Sequence, residues 1–414
     1  MRLTNEQLNE IKKKYNVSKL YSWSKVNCFM TSPYEYYLKY ILHKKEDVDN
    51  NAYAPLGGIC HNIIEQFYNK SIKYNHMIGL FKDGYVTTID IADLKFDRND
   101  EDKNNSIKEK YKYDLEHFFR YHSVIESYVA IEKFIATQIG NFVFQGYVDA
   151  VYKDKDGFYN IIDWKTSSKY SGKSAEEKCG QLVIYAIGLS QMGIPMDKIK
   201  ICWNFLKYCD VLCEQANGTK KNRIIERCKI GESLQSNVKM WLKKHGYNPD
   251  EYLKDMIDLN SIESLPEEVQ AHYCISDCYV YVELTEKLID KWNKILIENV
   301  KDIERREKTY YDMKNRGVNE KDCSKQFWDT DENVKKQSFY FATLCGYSAN
   351  LHKPYQKYLE TLEEVKNGQN LYDGVGSDTE NQDNDNVVKS NSVNDTSKVS
   401  NSDDELDLSF LNDL

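Results

Sequence analysis

The sequence predicts a mixed α/β (α+β) fold, with a central mixed sheet flanked by helices. Three observations lead there. Residues 142–166 are two runs of aromatic and β-branched residues around an Asp156-Gly157 turn. Residues 181–192 have helical spacing and stop at Gly193, and residues 199–206 return to strand composition. A hairpin, a helix and a strand in that order let the last strand join the hairpin's sheet by a right-handed crossover.

Taken in order, the chain opens with helical patterns at 4–15 and 22–42, the second carrying Trp23, Phe29 and many tyrosines. Gly57 and Gly58 open a third helix, in which His61 and Glu65 lie one turn apart and share a face. Residues 71–127 form a long mixed stretch whose charged run, Asp97 to Lys103, reads as a loop or insertion; Lys133 to Asn141 leads from helix into strand. Phe142–Tyr152 and Phe158–Thr166 then pair across Lys153–Gly157. With the turn centred near Asp156, partner numbers sum to about 312, as 149 and 163 do, so Asp149 faces Asp163. Opposed side chains have Cβ atoms about 4.5–5.5 Å apart, close enough for two carboxylates to grip one cation. Lys165, two residues beyond Asp163, turns to the same face. After a polar loop, 167–177, the next helix places Gln181 and Tyr185 on one face, and Ile199–Leu206 is a further strand. Residues 215–366 read as mainly helical, notably Leu284 to Tyr311, and no internal repeat is visible.

The formal charge of −9 argues against a nucleic-acid partner until it is located. Residues 367–414 hold eleven acids and two lysines, the whole of that excess, which leaves 54 basic and 54 acidic groups in the body. This tail is rich in Asn, Asp and Ser, cannot bury enough apolar area to offset its ordering, and is expected to be disordered. Its tip, 403–414, differs: Leu406, Leu408, Phe410, Leu411 and Leu414 are set among acids, as in a docking peptide. Eleven cysteines without Cys-x2-Cys pairs, and no signal peptide, point to reduced thiols and a cytoplasmic location. No apolar run reaches the roughly 18–20 residues of a membrane helix, so no membrane partner is expected. Abundant Lys, Asn and Tyr suggest an AT-rich genome, a low-GC bacterium or its phage.

Asp149, Asp163 and Lys165 suit phosphodiester hydrolysis. That reaction needs an activated water, neutralisation of a crowded phosphate and stabilisation of the leaving oxygen, all of which bound Mg²⁺ or Mn²⁺ can serve. Such an ion takes hard oxygen ligands and keeps several waters, so Asp149, Asp163 and the Trp164 carbonyl make a sufficient site. Lys165 beside them can orient the attacking water and favour its deprotonation.

An Asp-x-Lys triplet alone is common by chance, but the wider order is specific. Ser22-Trp-Ser24 with Ser32-Pro33, Gly57 to His61, Gly146-Tyr-Val-Asp149, Ile161-Ile-Asp163-Trp-Lys165-Thr166 and Gln181-Leu-Val-Ile-Tyr185 follow one another. This series resembles the RecB-like exonuclease branch of the PD-(D/E)xK nucleases, to which the AddB nuclease domain and CRISPR-associated adaptation exonucleases belong. The resemblance covers about residues 20–210 and implies a restriction-endonuclease-like fold; with the patterning beyond, one nuclease domain is expected over 1–366, its helical part at 215–366, and the tail after it. The resemblance also implies His61, Asp149 and Asp163 as metal ligands, Lys165 as catalytic, and Gln181 and Tyr185 as DNA-positioning. Glu65 is expected to be solvated, while Glu132 could be solvated or support a second cation.

Many relatives hold an iron-sulfur cluster through a cysteine before the N-terminal proline and three near the C-terminus. Here Ser32 precedes Pro33 and Cys345 lacks close partners, so no cluster is expected. Ser171-Gly-Lys-Ser174 lacks the first glycine of a phosphate-binding loop, so any helicase acts in trans. Lys207, Lys220, Lys221 and Arg223, with aromatics nearby, could line a groove for DNA with free ends or single strands. Glu405 to Phe410 resembles sliding-clamp ligands; the tip could also compete with DNA for that groove or merely solubilise the chain. The function expected is DNA exonuclease in replication, recombination or repair. Its competitors are a structure-specific or restriction-like endonuclease, and a non-catalytic adaptor recruiting replication proteins through the tail.

Overall fold

In the computed structural model, residues 2–369 are described, with side chains to 364. The expected tail from residue 370 onward, with Leu406, Leu408 and Phe410, lies outside the described residues. Seven strands form one mixed sheet: β1 (Tyr21–Ser22), β2 (Val129–Ile139), β3 (Phe142–Lys153), β4 (Tyr159–Lys165), β5 (Ile199–Glu214), β6 (Lys220–Glu226) and β7 (Tyr273–Val282). The hairpin has the expected register, with Ala150 opposite Ile162 and Tyr152 opposite Asn160. The next step of that register sets Asp149 against Asp163. β5 runs parallel to β4, with Lys165 level with Phe205.

The helices that matter for the site are α1 (Asn5–Lys14), α2 (Trp23–Thr31), α3 (Tyr53–Tyr68), α4 (Tyr74–Tyr85), α5 (Glu101–Tyr121), α6 (Gly180–Gln191), α7 (Ile230–Lys244), α8 (Glu286–Asn315) and α9 (Lys353–Gln369). Ser22 caps α2 through the Lys25 amide, and Ser32 caps the short helix begun by Pro33 through the Glu35 amide. The sheet is covered on both faces. On one, α2, α6 and α8 bury Val26, Leu182, Val183, Trp292 and Leu296 against Ile161, Ile201 and Phe205. On the other, α3, α4 and α5 bury Cys60, Ile64, Phe81 and Phe118 against Ile162, Trp164 and Cys202. A third core lies where α7 covers the far halves of β5 and β7. No described helix is long and apolar enough to cross a membrane. All eleven cysteines are free thiols.

Four expectations are corrected. Lys133–Asn141 is not a passage out of a helix: β2 begins at Val129 and pairs with β3 along its length. Residues 74–85 and 101–121 are helices, the second capped by Asp100, so much of the supposed insertion is the cover of one face. The 215–366 region is mainly helical as expected but is not helical throughout: it also holds β6 and β7, because β5 runs on to Glu214 and needs partners. Helix α9 continues to Gln369, past the expected start of the tail.

Candidate metal centre

The candidate residues meet where the hairpin passes under α3. Asp163 and Lys165 follow the two-residue period of β4, and the Lys165 Nζ lies 2.9 Å from Asp163 Oδ1 and 2.7 Å from Oδ2. Asp149 Oδ2 accepts a hydrogen bond from the Trp164 amide at 3.2 Å, tying its carboxylate to the neighbouring strand. His61, one helical turn beyond Gly57, reaches down from α3, and its Nε2 lies 2.9 Å from the Trp164 carbonyl oxygen. A carbonyl only accepts, so Nε2 carries the hydrogen and, in a neutral imidazole, Nδ1 presents a lone pair. That Nδ1 faces Asp149 Oδ2 at 3.5 Å.

Charge follows from this crowding. Burial pushes the Asp149 carboxyl well above its usual range, and the charge of Asp163 pushes it further. Burial also lowers His61, against the pull of Asp163, which favours the neutral, ligand-ready form. For Lys165, burial works downward but the two aspartates outweigh it, so its pKa is raised and it stays an ammonium.

Gln181 and Tyr185 stand on one face of α6, as expected. Gln181 donates to the Tyr185 hydroxyl at 3.1 Å, which donates to the Tyr147 carbonyl at 2.9 Å. Their contact is with the backbone leading to Asp149. Gly146 is required there, because a Cβ would come within 2.8 Å of the Tyr185 ring. Gly180 plays the same part at the start of α6, where a Cβ would meet the rings of Trp23 and Trp292 at 2.4–2.6 Å. Ser32, in the position before Pro33, hydrogen-bonds Asp329 at 2.6 Å and His352 at 2.8 Å, all three buried.

The four basic residues of the expected groove part company. Lys220, Lys221 and Arg223 are exposed on β6, but Lys207 is only 6 % exposed and its Nζ sits 3.9 Å above the Tyr111 ring, so it does not line an open groove. Glu65, expected to be solvated, is half-buried, and its charge helps raise the pKa of Glu132 after burial has done so.

Glu132 itself is what sequence reasoning left undecided. Its ligand atoms, with those of His61 and Asp149, all lie within 4.8 Å of one another. The signal was a strand register: flanking pairs Ile131–Ala150 and Lys133–Val148 put Glu132 level with Asp149, which is invisible until β2 is known to be a strand.

A mixed, helix-covered sheet that offers two acids and a lysine from one hairpin, with a histidine from a covering helix, has the arrangement expected of a metal-dependent nuclease. The model of the PD-(D/E)XK nuclease superfamily matches residues 21–305, well over half the chain, and the chain belongs to that superfamily. No curated protein matches it.

Proposed function

We propose that the protein is a metal-dependent DNA exonuclease of the RecB-like branch, using Mg²⁺ or Mn²⁺ in replication, recombination or repair. The observation that carries this reading is the joining of Asp149, Asp163 and Lys165 by His61 from α3, through the Trp164 carbonyl and Asp149. The donors fit a divalent cation: an imidazole lone pair and carboxylates converge, with more acids than neighbouring cations.

When bound, the cation supplies an activated water and neutralises phosphate charge. His61, Asp149, Asp163 and the Trp164 carbonyl are its proposed ligands. Lys165, kept protonated, cannot serve as a base; it donates to Asp163, and from there its ammonium can hold the attacking water and offset charge on the phosphate. Asp163 fixes that ammonium, and the Trp164 amide fixes Asp149. Gln181 and Tyr185 hold the β3 backbone that leads to Asp149 in place, and in this reading they position DNA through the site they shape.

In this reading residues 1–366 form the nuclease domain and the tail docks a replication protein such as a sliding clamp, with any helicase in trans. The setting is the cytoplasm of a low-GC bacterium, or of the host if the chain is phage-encoded. The test is release of labelled nucleotides from linear and circular DNA, single- and double-stranded, with Mg²⁺, Mn²⁺ or EDTA. Metal-dependent release from linear DNA alone supports the exonuclease. Cutting of circles turns the reading to an endonuclease, and binding without cutting turns it to an adaptor.

A further inference from the structure

The geometry points to Glu132 as a ligand of the cation, which places the ion on the β2 side of Asp149. This rests on the nuclease reading and adds to it.

The backbone at Glu132 is built for something other than a regular strand. Its φ is +51°, in the left-handed region that side chains other than Gly, Asn and Asp rarely adopt. The effect runs across both strands. In β2, Ile135 and Ile139 face the α6 core but so does Ala130, so the facing residues change from even to odd at the kink. In β3 the same core takes Phe144 and Val148, then Val151, so the phase changes at Asp149. The slip turns the side chains of two level residues, Glu132 and Asp149, toward one place.

A glycine would make that kink more easily, so the backbone does not explain the glutamate. What Glu132 adds is a carboxylate within 4.8 Å of the His61 nitrogen and the Asp149 oxygen. Donors around one ion at about 2.1–2.2 Å lie no more than about 4.4 Å apart, so a small movement closes the set. A second feature points to an ion there. The His61 Nδ1 lone pair faces an Asp149 oxygen at 3.5 Å with no proton of the neutral imidazole between them. Two acceptors aimed at each other are reconciled by a proton or a cation, and the Glu132 carboxylate converging on the same pair fits the cation. Asp163, by contrast, has both oxygens within 2.9 Å of the Lys165 ammonium and is outside the convergent group. Asp149 thus stands between two pairs around the ion: Glu132 with His61 on the β2 side, and Asp163 with Lys165 on the side of the scissile phosphate. One imidazole among carboxylates favours Mn²⁺ over Mg²⁺ in affinity.

The experiment is calorimetric titration of the full chain with Mn²⁺, without DNA, for wild type, Glu132→Gln and Glu132→Gly, alongside nucleotide release and melting in EDTA. Both variants are expected to weaken Mn²⁺ binding by about tenfold or more. Glu132→Gly is also expected to melt higher than wild type in EDTA, since it relieves the positive φ, which separates lost ligation from lost structure. Wild-type Mn²⁺ affinity in either variant overturns the assignment of Glu132, and leaves the nuclease reading standing if wild type binds and cuts. Failure of the wild type itself to bind Mn²⁺ removes both, whereas binding lost in the variants with no cutting by wild type keeps the Glu132 site and removes the nuclease reading.

Discussion

Two buried charge clusters in this molecule are built on opposite plans. Under α5, Asp277 accepts from Arg227 at 2.7 Å, from the Ser123 amide at 3.1 Å, and pairs with His122 at 2.6 Å. His122 is held in turn by the Tyr68 hydroxyl at 2.8 Å, and Arg227 Nε by the Leu206 carbonyl at 2.9 Å. Burial alone would raise the Asp277 carboxyl, but His122 and Arg227 outweigh it and hold it below the ordinary range. At the hairpin, Asp149 and Asp163 share one ammonium, Glu132 lies on the far side of Asp149, and Asp149 is pushed up instead. The first cluster is complete within the chain. The second has acids left over, which is stable only with an added cation or a proton, and that difference marks the second as the place where chemistry happens.

The largest test of this contrast is Lys165→Ala. It should lower metal-dependent nucleotide release by about 10⁴-fold, near the upper end for one positioned group, while DNA binding by gel shift stays close to wild type. A variant that still cuts at a tenth of the wild-type rate would remove Lys165 from the chemistry. In the complete cluster the effect should fall on stability. Asp277→Ala leaves the buried Arg227 guanidinium without its carboxylate and is expected to cost about 3–5 kcal/mol in urea unfolding. A loss under 1 kcal/mol would mean that water replaces the carboxylate and that the cluster is not a strut.

The two clusters also differ in how far the sequence revealed them. The hairpin was legible because a Asp-Gly turn fixes register, and register fixes which side chains meet; Ala150 opposite Ile162 follows from the same count as Asp149 opposite Asp163. His61 came from the order of motifs, since nothing local brings residue 61 to residue 164. The Asp277 cluster was not legible at all. It joins the end of α5, a 3-10 turn and β7, and β7 was hidden because polar residues such as Ser276 and Asp277 interrupt its apolar pattern. β6 was hidden for another reason: its first five residues are exposed, so Lys220 to Ile224 carry no burial alternation. Glu132 fell between these cases, since its meaning depends on β2, whose kink breaks the period by which a strand is recognised.

A smaller effect of opposite sign should follow Asp149→Asn. With no metal, removing one of the crowded acids is expected to stabilise the fold by about 0.5–2 kcal/mol, the reverse of Asp277→Ala. Saturating Mn²⁺ should then reverse the order: at about 100 times its dissociation constant it adds about 2.7 kcal/mol to wild type and little to the variant. If Asp149→Asn is less stable than wild type in EDTA, the site is not strained by its own acids.

The pH dependence in EDTA gives the finest form of the comparison. A carboxyl whose folded pKa is raised binds its proton more tightly in the folded state. Its contribution is therefore fully present below the unfolded pKa and is lost as pH rises through the folded value. Wild type and Asp149→Asn should accordingly have similar stability in acid, where Asp149 is protonated and resembles asparagine, and wild type should fall behind as pH climbs toward neutrality. Asp277 acts the other way, since a depressed carboxyl contributes above its unfolded pKa and loses that contribution as pH falls through the folded value. Because Asp277 is present in both proteins, its slope cancels in the difference, and what remains is Asp149 with the neighbours it is coupled to. A difference that is flat with pH, or that favours wild type at neutrality, would show that burial and Asp163 do not burden this carboxylate and that the acids at the hairpin are as well balanced as those under α5.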